Sequence, residues 1–164
     1  MVEREYQNQL QLASKITAVS VNDTVEALVI ELNDQSVIEA LAENNRGKVV
    51  YVDVWATWCG NCLAEFPHSV ELHQKLDSEK ITFAYIAIDS QLDEWNEVIR
   101  KKHLNGQHIL LNREQELEFI KIHFGESHGI PRYLIIDKNG KLINNNAPRP
   151  SDKETEKLLR DLMD

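Results

Sequence analysis

The chain has 164 residues, 42% of them hydrophobic and 27% charged, so it can bury one hydrophobic core without a metal or a disulfide framework. Acidic side chains outnumber basic ones by 27 to 18, and the net charge of −9 excludes nucleic-acid binding through a broad basic surface. No apolar run approaches the ~18 residues that a membrane span needs. We therefore expect no nucleic-acid partner and no membrane span in this chain.

The first half of the chain predicts an arm followed by alternating strands and helices. Residues 1–24 are polar and are expected to form an N-terminal arm or extension, and residues 25–164 the folded domain. Two later runs are almost continuously apolar and β-branched, which is typical of parallel strands covered on both faces. In chain order the segments are the strand Val25–Leu32, a helix carrying Val37, Ile38 and Leu41, the buried strand Val49–Trp55, a helix Asn61–Leu76 kinked at Pro67, and the buried strand Ile81–Ile88.

The second half continues the alternation and ends in a hairpin and a helix. Its first predicted segments are a helix opened by Ser90 and Asp93 with a buried face of Leu92, Trp95, Val98 and Ile99, and the strand His108–Leu111. A helix through Leu117, Ile120 and Phe124 follows and stops at Gly125. The chain then forms the strands Tyr133–Ile136 and Leu142–Ile143, joined by a turn at Asn139–Gly140, and a last helix with Leu158, Leu159 and Leu162 behind a capping box of Ser151 and Glu154. This order predicts an α/β fold with a mixed sheet and helices on both faces.

Two cysteines, Cys59 and Cys62, are the strongest chemical signal in the sequence. A disulfide closing so short a loop contributes only about 2 kcal/mol as a staple, so the pair needs another explanation. It lies where a buried strand passes into a helix. Free backbone amides at a helix N-terminus stabilise a thiolate on Cys59, and Cys62 follows one turn later, close enough to form a disulfide. This arrangement predicts a redox-active pair.

The segment Trp55–Cys62, with the sequence WATWCGNC, resembles the active-site motif of the thioredoxin superfamily. Three further positions match that family. Asp53 coincides with its buried aspartate, Pro67 with the kink proline of its active-site helix, and Ile130–Pro131 with its cis-proline opposite the cysteines.

Two other segments resemble the TlpA/ResA-like branch of bacterial thiol-disulfide oxidoreductases. Cys62–Pro67 matches its C-x-x-E-F-P motif, and Gly129–Asp137 matches its strand after the cis-proline. That branch carries an insertion between the positions of Ile88 and Gly129. The resemblance implies a thioredoxin fold in which a central mixed β-sheet is flanked by helices on both faces and carries a helix–strand insertion.

The same resemblance implies a protein disulfide oxidoreductase that exchanges its dithiol with protein thiols and disulfides as a reductant. Cys59 attacks, Cys62 resolves, and Asp53, helped by Glu65, handles the proton on Cys62. The positions expected to bind the substrate are Trp58, Gly60, Asn61, Ile130 and Pro131. Trp58 is expected at the exposed rim and Trp55 inside the fold. No metal or organic cofactor is implied.

Two positions depart from the patterns of these relatives. Asn61 stands where thioredoxin has proline, and an acid at the position of Asp53 is unusual in the TlpA/ResA-like branch. Three alternatives stay open at this point. They are a zinc half-site at the two cysteines, a peroxiredoxin-like thiol peroxidase, and a thioredoxin-like binding module without catalysis.

The resemblance also carries expectations about the cellular setting. It implies the periplasm or cell envelope, with a signal or an upstream domain outside the sequence given; the alternative is the cytoplasm. It further implies an upstream redox donor. We expect the protein to be a monomer.

Overall fold

A computed structural model of the protein describes Val25 and residues 27–32, 34–126 and 129–164. The predicted arm of residues 1–24 lies outside these residues, so the domain boundary at residue 25 stays a prediction. The six strands are β1 (Ala27–Val29), β2 (Val49–Trp55), β3 (Ile81–Ala87), β4 (Gly106–Leu110), β5 (Arg132–Ile136) and β6 (Leu142–Asn144). The five helices are α1 (Val37–Asn44), α2 (Gly60–Lys75), α3 (Leu92–Lys101), α4 (Arg113–His123) and α5 (Thr155–Met163).

The strands form one mixed sheet in the order β1-β4-β3-β2-β5-β6. The first four in this order are parallel to one another, whereas β5 is antiparallel to β2 and β6 is antiparallel to β5. Every residue of β2 is buried, as its apolar sequence predicts for a central strand. The predicted α/β fold with a mixed central sheet is therefore confirmed.

One face of the sheet is aromatic and carries α2. Phe66 of α2 packs edge-on against Trp55, with ring centroids 5.1 Å apart, and His73 stacks on Phe83 at 4.5 Å. On the opposite face, Asn45 at the end of α1 accepts a hydrogen bond from Thr82 and exchanges two with Gln107. Helices thus cover both faces. The segment between β3 and β5 forms α3, β4 and α4, which is the predicted helix–strand–helix region.

The strand and helix bounds differ from the predictions mainly at the ends. The strand predicted at Val25–Leu32 is only three residues long and lies at the edge of the sheet, paired with β4. In the hairpin between β5 and β6, Gly140 adopts a positive φ of 81°, and Asp137 accepts hydrogen bonds from the backbone amides of Asn139 and Lys141. Asn139 is not among the described residues with positive φ, so glycine alone meets that requirement.

Two predicted helix caps are wrong. Gln91, not Ser90, precedes α3, and it makes no side-chain capping bond. The Ser90 hydroxyl instead accepts a hydrogen bond from the distant Thr57 amide and donates one to the carbonyl of Ile88. The helix α5 begins after Glu154, also without a side-chain cap. Ser151 lies too far ahead of it, and its hydroxyl and amide bind a distant residue described below. In both cases a tertiary hydrogen bond replaces the local cap that the sequence pattern favoured.

Candidate active site

The two cysteines lie at the junction of β2 and α2, and they form a disulfide with Cα atoms 5.2 Å apart. Cys59 is the residue that caps the N-terminus of α2, and its sulfur accepts a hydrogen bond from the Cys62 amide at 3.2 Å. The short turn from Ala56 closes with a bond from the Cys59 amide to the Ala56 carbonyl. The predicted position at a helix N-terminus is therefore confirmed, and it stabilises negative charge on the Cys59 sulfur.

The two sulfurs differ in access to solvent. Cys59 is 7% exposed, whereas Cys62 is completely buried. Gly60 and Asn61 between them are exposed, and Trp58 is 62% exposed, the largest fraction among the described large hydrophobic residues that are exposed. Trp55 is fully buried, as predicted. A disulfide from outside can therefore reach Cys59 past the exposed residues around it. Cys62 is accessible only to groups inside the protein, such as the Cys59 sulfur.

Asp53 lies at the centre of the sheet beneath α2. It is 3% exposed, and neither carboxyl oxygen has a hydrogen-bond partner among the described residues. Strand register pairs it with Tyr85 on one side and Tyr133 on the other. Desolvation, reinforced by the charge of Glu65, raises the pKa of Asp53 well above its ordinary value. A carboxyl group in this environment holds its proton more tightly than an exposed aspartate does.

Three tyrosines surround Asp53 on the same face of the sheet. Burial first, and then the charge of Asp53, raise the pKa of Tyr51, Tyr85 and Tyr133. The Tyr51 hydroxyl donates to the Pro148 carbonyl at 2.6 Å, and Tyr85 hydrogen-bonds to a side chain of α2. All three phenols therefore stay protonated beside Asp53.

Glu65 lies one turn after Cys62 on the inner side of α2 and is 8% exposed. The Ser151 hydroxyl donates to one of its carboxylate oxygens at 2.6 Å, and the Ser151 amide donates to the other at 3.1 Å. Glu65 is thus not a solvated helix residue. Sequence analysis proposed a role for Glu65 but missed Ser151, because a sequence separation of 86 leaves no local pattern.

Ile130 and Pro131 lie at the same edge of the sheet as the cysteines. The antiparallel register places Arg132 opposite Val54, so Pro131 precedes β5 where β2 ends and the chain continues toward Cys59. The Ile130–Pro131 peptide bond is cis. Both residues are half-buried, while Gly129 before them is exposed. The structure therefore gathers the predicted substrate-binding positions near the N-terminal end of α2.

A second set of hydrogen bonds, which the sequence did not reveal, joins the cysteine loop to the region after β3. The Trp58 indole nitrogen donates to the Asp89 carbonyl at 2.9 Å, and the Thr57 amide donates to Ser90. The Asp89 amide in turn donates to Glu116 at 3.0 Å. Glu116 was not singled out in the sequence.

The predicted apolar face of α4 was wrong at Leu117, which is 53% exposed, whereas Glu116 beside it is buried.

Within the described parts of the chain, no group of three or more histidine, cysteine, aspartate or glutamate side chains could hold a metal ion. The same residues contain no helix that is both long and apolar enough to cross a membrane.

His108 is fully buried, and burial lowers its pKa to about 4, so it is a neutral core residue stacked on Tyr85.

Comparisons with known proteins agree with this geometry. A family model described as thioredoxin-like matches residues 47–142. The thiol-disulfide oxidoreductase ResA of Geobacillus thermodenitrificans is 25% identical over 126 residues, which cover 77% of this chain and 68% of that protein. A thioredoxin of Coprinus comatus is 37% identical over 49 residues, 30% of this chain and 46% of that protein, so this chain spans less than half of it.

Solved structures with a similar fold include thiol-disulfide oxidoreductases. The solution structure of a candidate thiol-disulfide oxidoreductase from Bacteroides vulgatus is 32% identical, with a TM-score of 0.64 over 74% of this chain and 78% of that one. A thioredoxin-family thiol:disulfide interchange protein from Chlorobium tepidum has a TM-score of 0.63 at 22% identity, over 75% of this chain and 85% of that one, and supports the fold alone.

Proposed function

The chain belongs to the thioredoxin-like family, and from that premise we propose that it is a thiol-disulfide oxidoreductase that exchanges its Cys59–Cys62 pair with protein substrates. The observation that carries the proposal is the disulfide itself. It joins a cysteine at the N-terminus of α2 to one buried a turn later, where it adds little to stability.

The exchange proceeds in two steps when the protein acts as a reductant. The Cys59 thiolate attacks one sulfur of a substrate disulfide, forms a mixed disulfide and releases the other substrate sulfur as a thiolate. The Cys62 sulfur, after losing its proton, attacks Cys59 and releases the second substrate thiolate. The substrate gains two electrons, and the Cys59–Cys62 dithiol is oxidised to the disulfide. The helix N-terminus stabilises the first thiolate.

The proton on Cys62 has to leave a fully buried position, and we assign Asp53 as the group that takes it. Asp53 lies on the sheet face that α2 covers, and its carboxyl oxygens have no hydrogen-bond partner in the described part of the chain, which leaves it free to change protonation state. Its raised pKa makes the Asp53 carboxylate a stronger base than an exposed aspartate. Glu65 assists through its charge, which acts on Asp53 from α2.

The substrate backbone is proposed to dock beside Cys59, between the loop before α2 and the loop before β5. The exposed residues Trp58, Gly60 and Asn61 supply one side of this site, and Ile130 and Pro131 supply the other. These roles rest on the family resemblance and on the shared edge of the sheet.

The direction and the setting of the reaction are also proposals. The similarity to ResA proteins supports a reductant that works in the cell envelope and receives electrons from an upstream donor. The relatives named ResA give no substrate, so the substrate class is stated only as protein disulfides. The protein is proposed to act without a cofactor other than its redox-active disulfide, and as a monomer.

Insulin reduction by dithiothreitol tests the proposal, with the Cys59→Ser variant as the matched control. We expect the wild-type protein to accelerate precipitation of the reduced insulin chains and the variant to have no effect above the uncatalysed rate. Hydrogen peroxide consumption is measured in parallel. Peroxide turnover without insulin reduction would instead identify a thiol peroxidase, and inactivity in both assays would identify a binding module.

A further inference from the structure

Trp58 is exposed, yet one edge of its indole ring is held by the protein. The indole nitrogen donates to the Asp89 carbonyl at 2.9 Å, although 62% of the residue is in contact with solvent. An exposed tryptophan beside a nucleophilic cysteine offers a large apolar face to residues that flank a substrate cysteine. The hydrogen bond to Asp89 selects one orientation for that face.

Asp89, which accepts this hydrogen bond, has an unusual backbone conformation. Its φ of 42° lies in the left-handed region, which residues other than glycine rarely adopt. A backbone in this region persists where the surroundings hold it. Here the Asp89 carbonyl accepts from Trp58, and its amide donates to Glu116 at 3.0 Å.

Glu116 is the fixed end of this chain of contacts. It lies on α4, is 5% exposed, and receives a second hydrogen bond from the Arg113 guanidinium at 3.1 Å. Both carboxylate oxygens are therefore used. A buried carboxylate that is paired and hydrogen-bonded is stable in place, and its loss leaves the Asp89 amide without its partner.

We propose that Glu116, acting through Asp89, is a positioning residue that orients Trp58 to bind the polypeptide around a substrate disulfide. This inference rests on the proposed oxidoreductase function and extends it. Through Glu116, the α3–β4–α4 region contributes to substrate choice without touching the cysteines. The oriented Trp58 favours protein disulfides over small disulfides, because a small disulfide has no flanking residues to lie against the indole ring.

The test compares two substrates, insulin and hydroxyethyl disulfide, for the wild-type protein and for Glu116→Leu. Leucine keeps the approximate volume but accepts no hydrogen bond. We expect the ratio of kcat/KM for insulin to that for hydroxyethyl disulfide to fall about fivefold, mostly through KM, the effect of one lost hydrogen bond. Glu116→Gln retains an acceptor and should recover most of that loss. Glu118→Leu, at an exposed position on α4, is the matched control and should leave the ratio unchanged.

Trp58→Phe removes the indole donor at the other end of the chain of contacts and does not threaten folding, because the side chain is exposed. We expect it to lower the ratio as Glu116→Leu does, with no further loss in the double variant. Additive losses, or an unchanged ratio in Glu116→Leu with normal insulin reduction, would overturn the inference alone. A wild-type protein that reduces neither substrate would instead refute the proposed function.

Discussion

Glu65 and Glu116 are two buried glutamates near the same disulfide, and they differ in how their charge is compensated. Glu116 is paired with Arg113, whereas Glu65 makes no ion pair with any described residue and is held by Ser151 alone. Each glutamate holds a loop that is distant in sequence by accepting a hydrogen bond from a backbone amide, that of Ser151 or that of Asp89. Only Glu65 also projects an uncompensated charge onto a neighbouring group, Asp53.

This difference separates two uses of a buried carboxylate. The Glu116 charge is neutralised locally, so Glu116 acts through the geometry of its hydrogen bonds and orients Trp58 through Asp89. Glu65 is satisfied by neutral donors, so its charge stays effective at short range in a low-dielectric interior. The region beneath α2 is therefore expected to respond to pH, and the region around Glu116 to respond to substrate shape.

The largest expected effect comes from Asp53→Asn, which removes the group that Glu65 acts upon. We expect reduction of insulin at pH 7 to slow about a hundredfold, the usual contribution of a general base. The loss should appear in the step in which Cys62 is deprotonated. The rate at which the substrate is released from the mixed disulfide in a single turnover measures that step. Asp93→Asn, at an exposed position in α3, serves as the control. Equal rates for Asp53→Asn and the wild type would remove Asp53 from the mechanism.

The same variant has a pH-dependent effect on stability. Because the folded-state pKa of Asp53 is raised, ionising it costs folding free energy, and that cost grows as pH rises from about 4 through the folded-state pKa. The stability gained by Asp53→Asn should therefore be larger at pH 8 than at pH 4, by more than about 1 kcal/mol. Urea unfolding of both proteins at the two pH values measures it. A difference independent of pH would show that Asp53 is solvated.

Glu65→Gln tests the electrostatic half of the comparison directly, with Glu116→Gln as its matched partner. Removing the Glu65 charge lowers the pKa of Asp53 toward its ordinary value, so the rise of kcat/KM with pH should move to lower pH. We expect the change in kcat/KM at pH 7 to stay below about tenfold. Glu116→Gln should not displace the profile. Equal displacement in both variants would contradict the distinction between the two glutamates.

The smallest expected effect is that of Ser151→Ala, which removes one of the two donors to Glu65 and leaves the backbone amide in place. The free energy of unfolding should fall by about 1 kcal/mol, the typical net contribution of one hydrogen bond. Urea unfolding measures the loss. Ser78→Ala is the control, at an exposed position. Stability equal to that of the control would mean that the Ser151 hydroxyl does not anchor Glu65.

The sequence predicted the parts of the molecule that local patterns encode. The β-branched run from Val49 to Trp55 matches β2 residue for residue, since a fully buried strand is nearly all apolar. Cys59 at the start of α2 followed from the change between strand and helix. The long-range partners of Glu65 and Glu116 could not be predicted, because Ser151 and Asp89 are distant in sequence and carry no signal of their own. At Ser90 and Ser151 a pattern typical of helix caps misled the prediction, since a tertiary partner competed for the hydroxyl.

Trapping of the mixed disulfide tests the central claim, the division of labour between the two cysteines, most directly. The reduced Cys62→Ser variant is mixed with a protein disulfide substrate such as insulin and analysed by non-reducing electrophoresis and peptide mapping. We predict a covalent complex joined through Cys59 that dithiothreitol releases, because the helix-capping sulfur, on the more accessible of the two cysteines, attacks and no thiol is left to resolve the complex. The Cys59→Ser variant should form none. A stable complex through Cys62 in Cys59→Ser, with none in Cys62→Ser, would contradict the account.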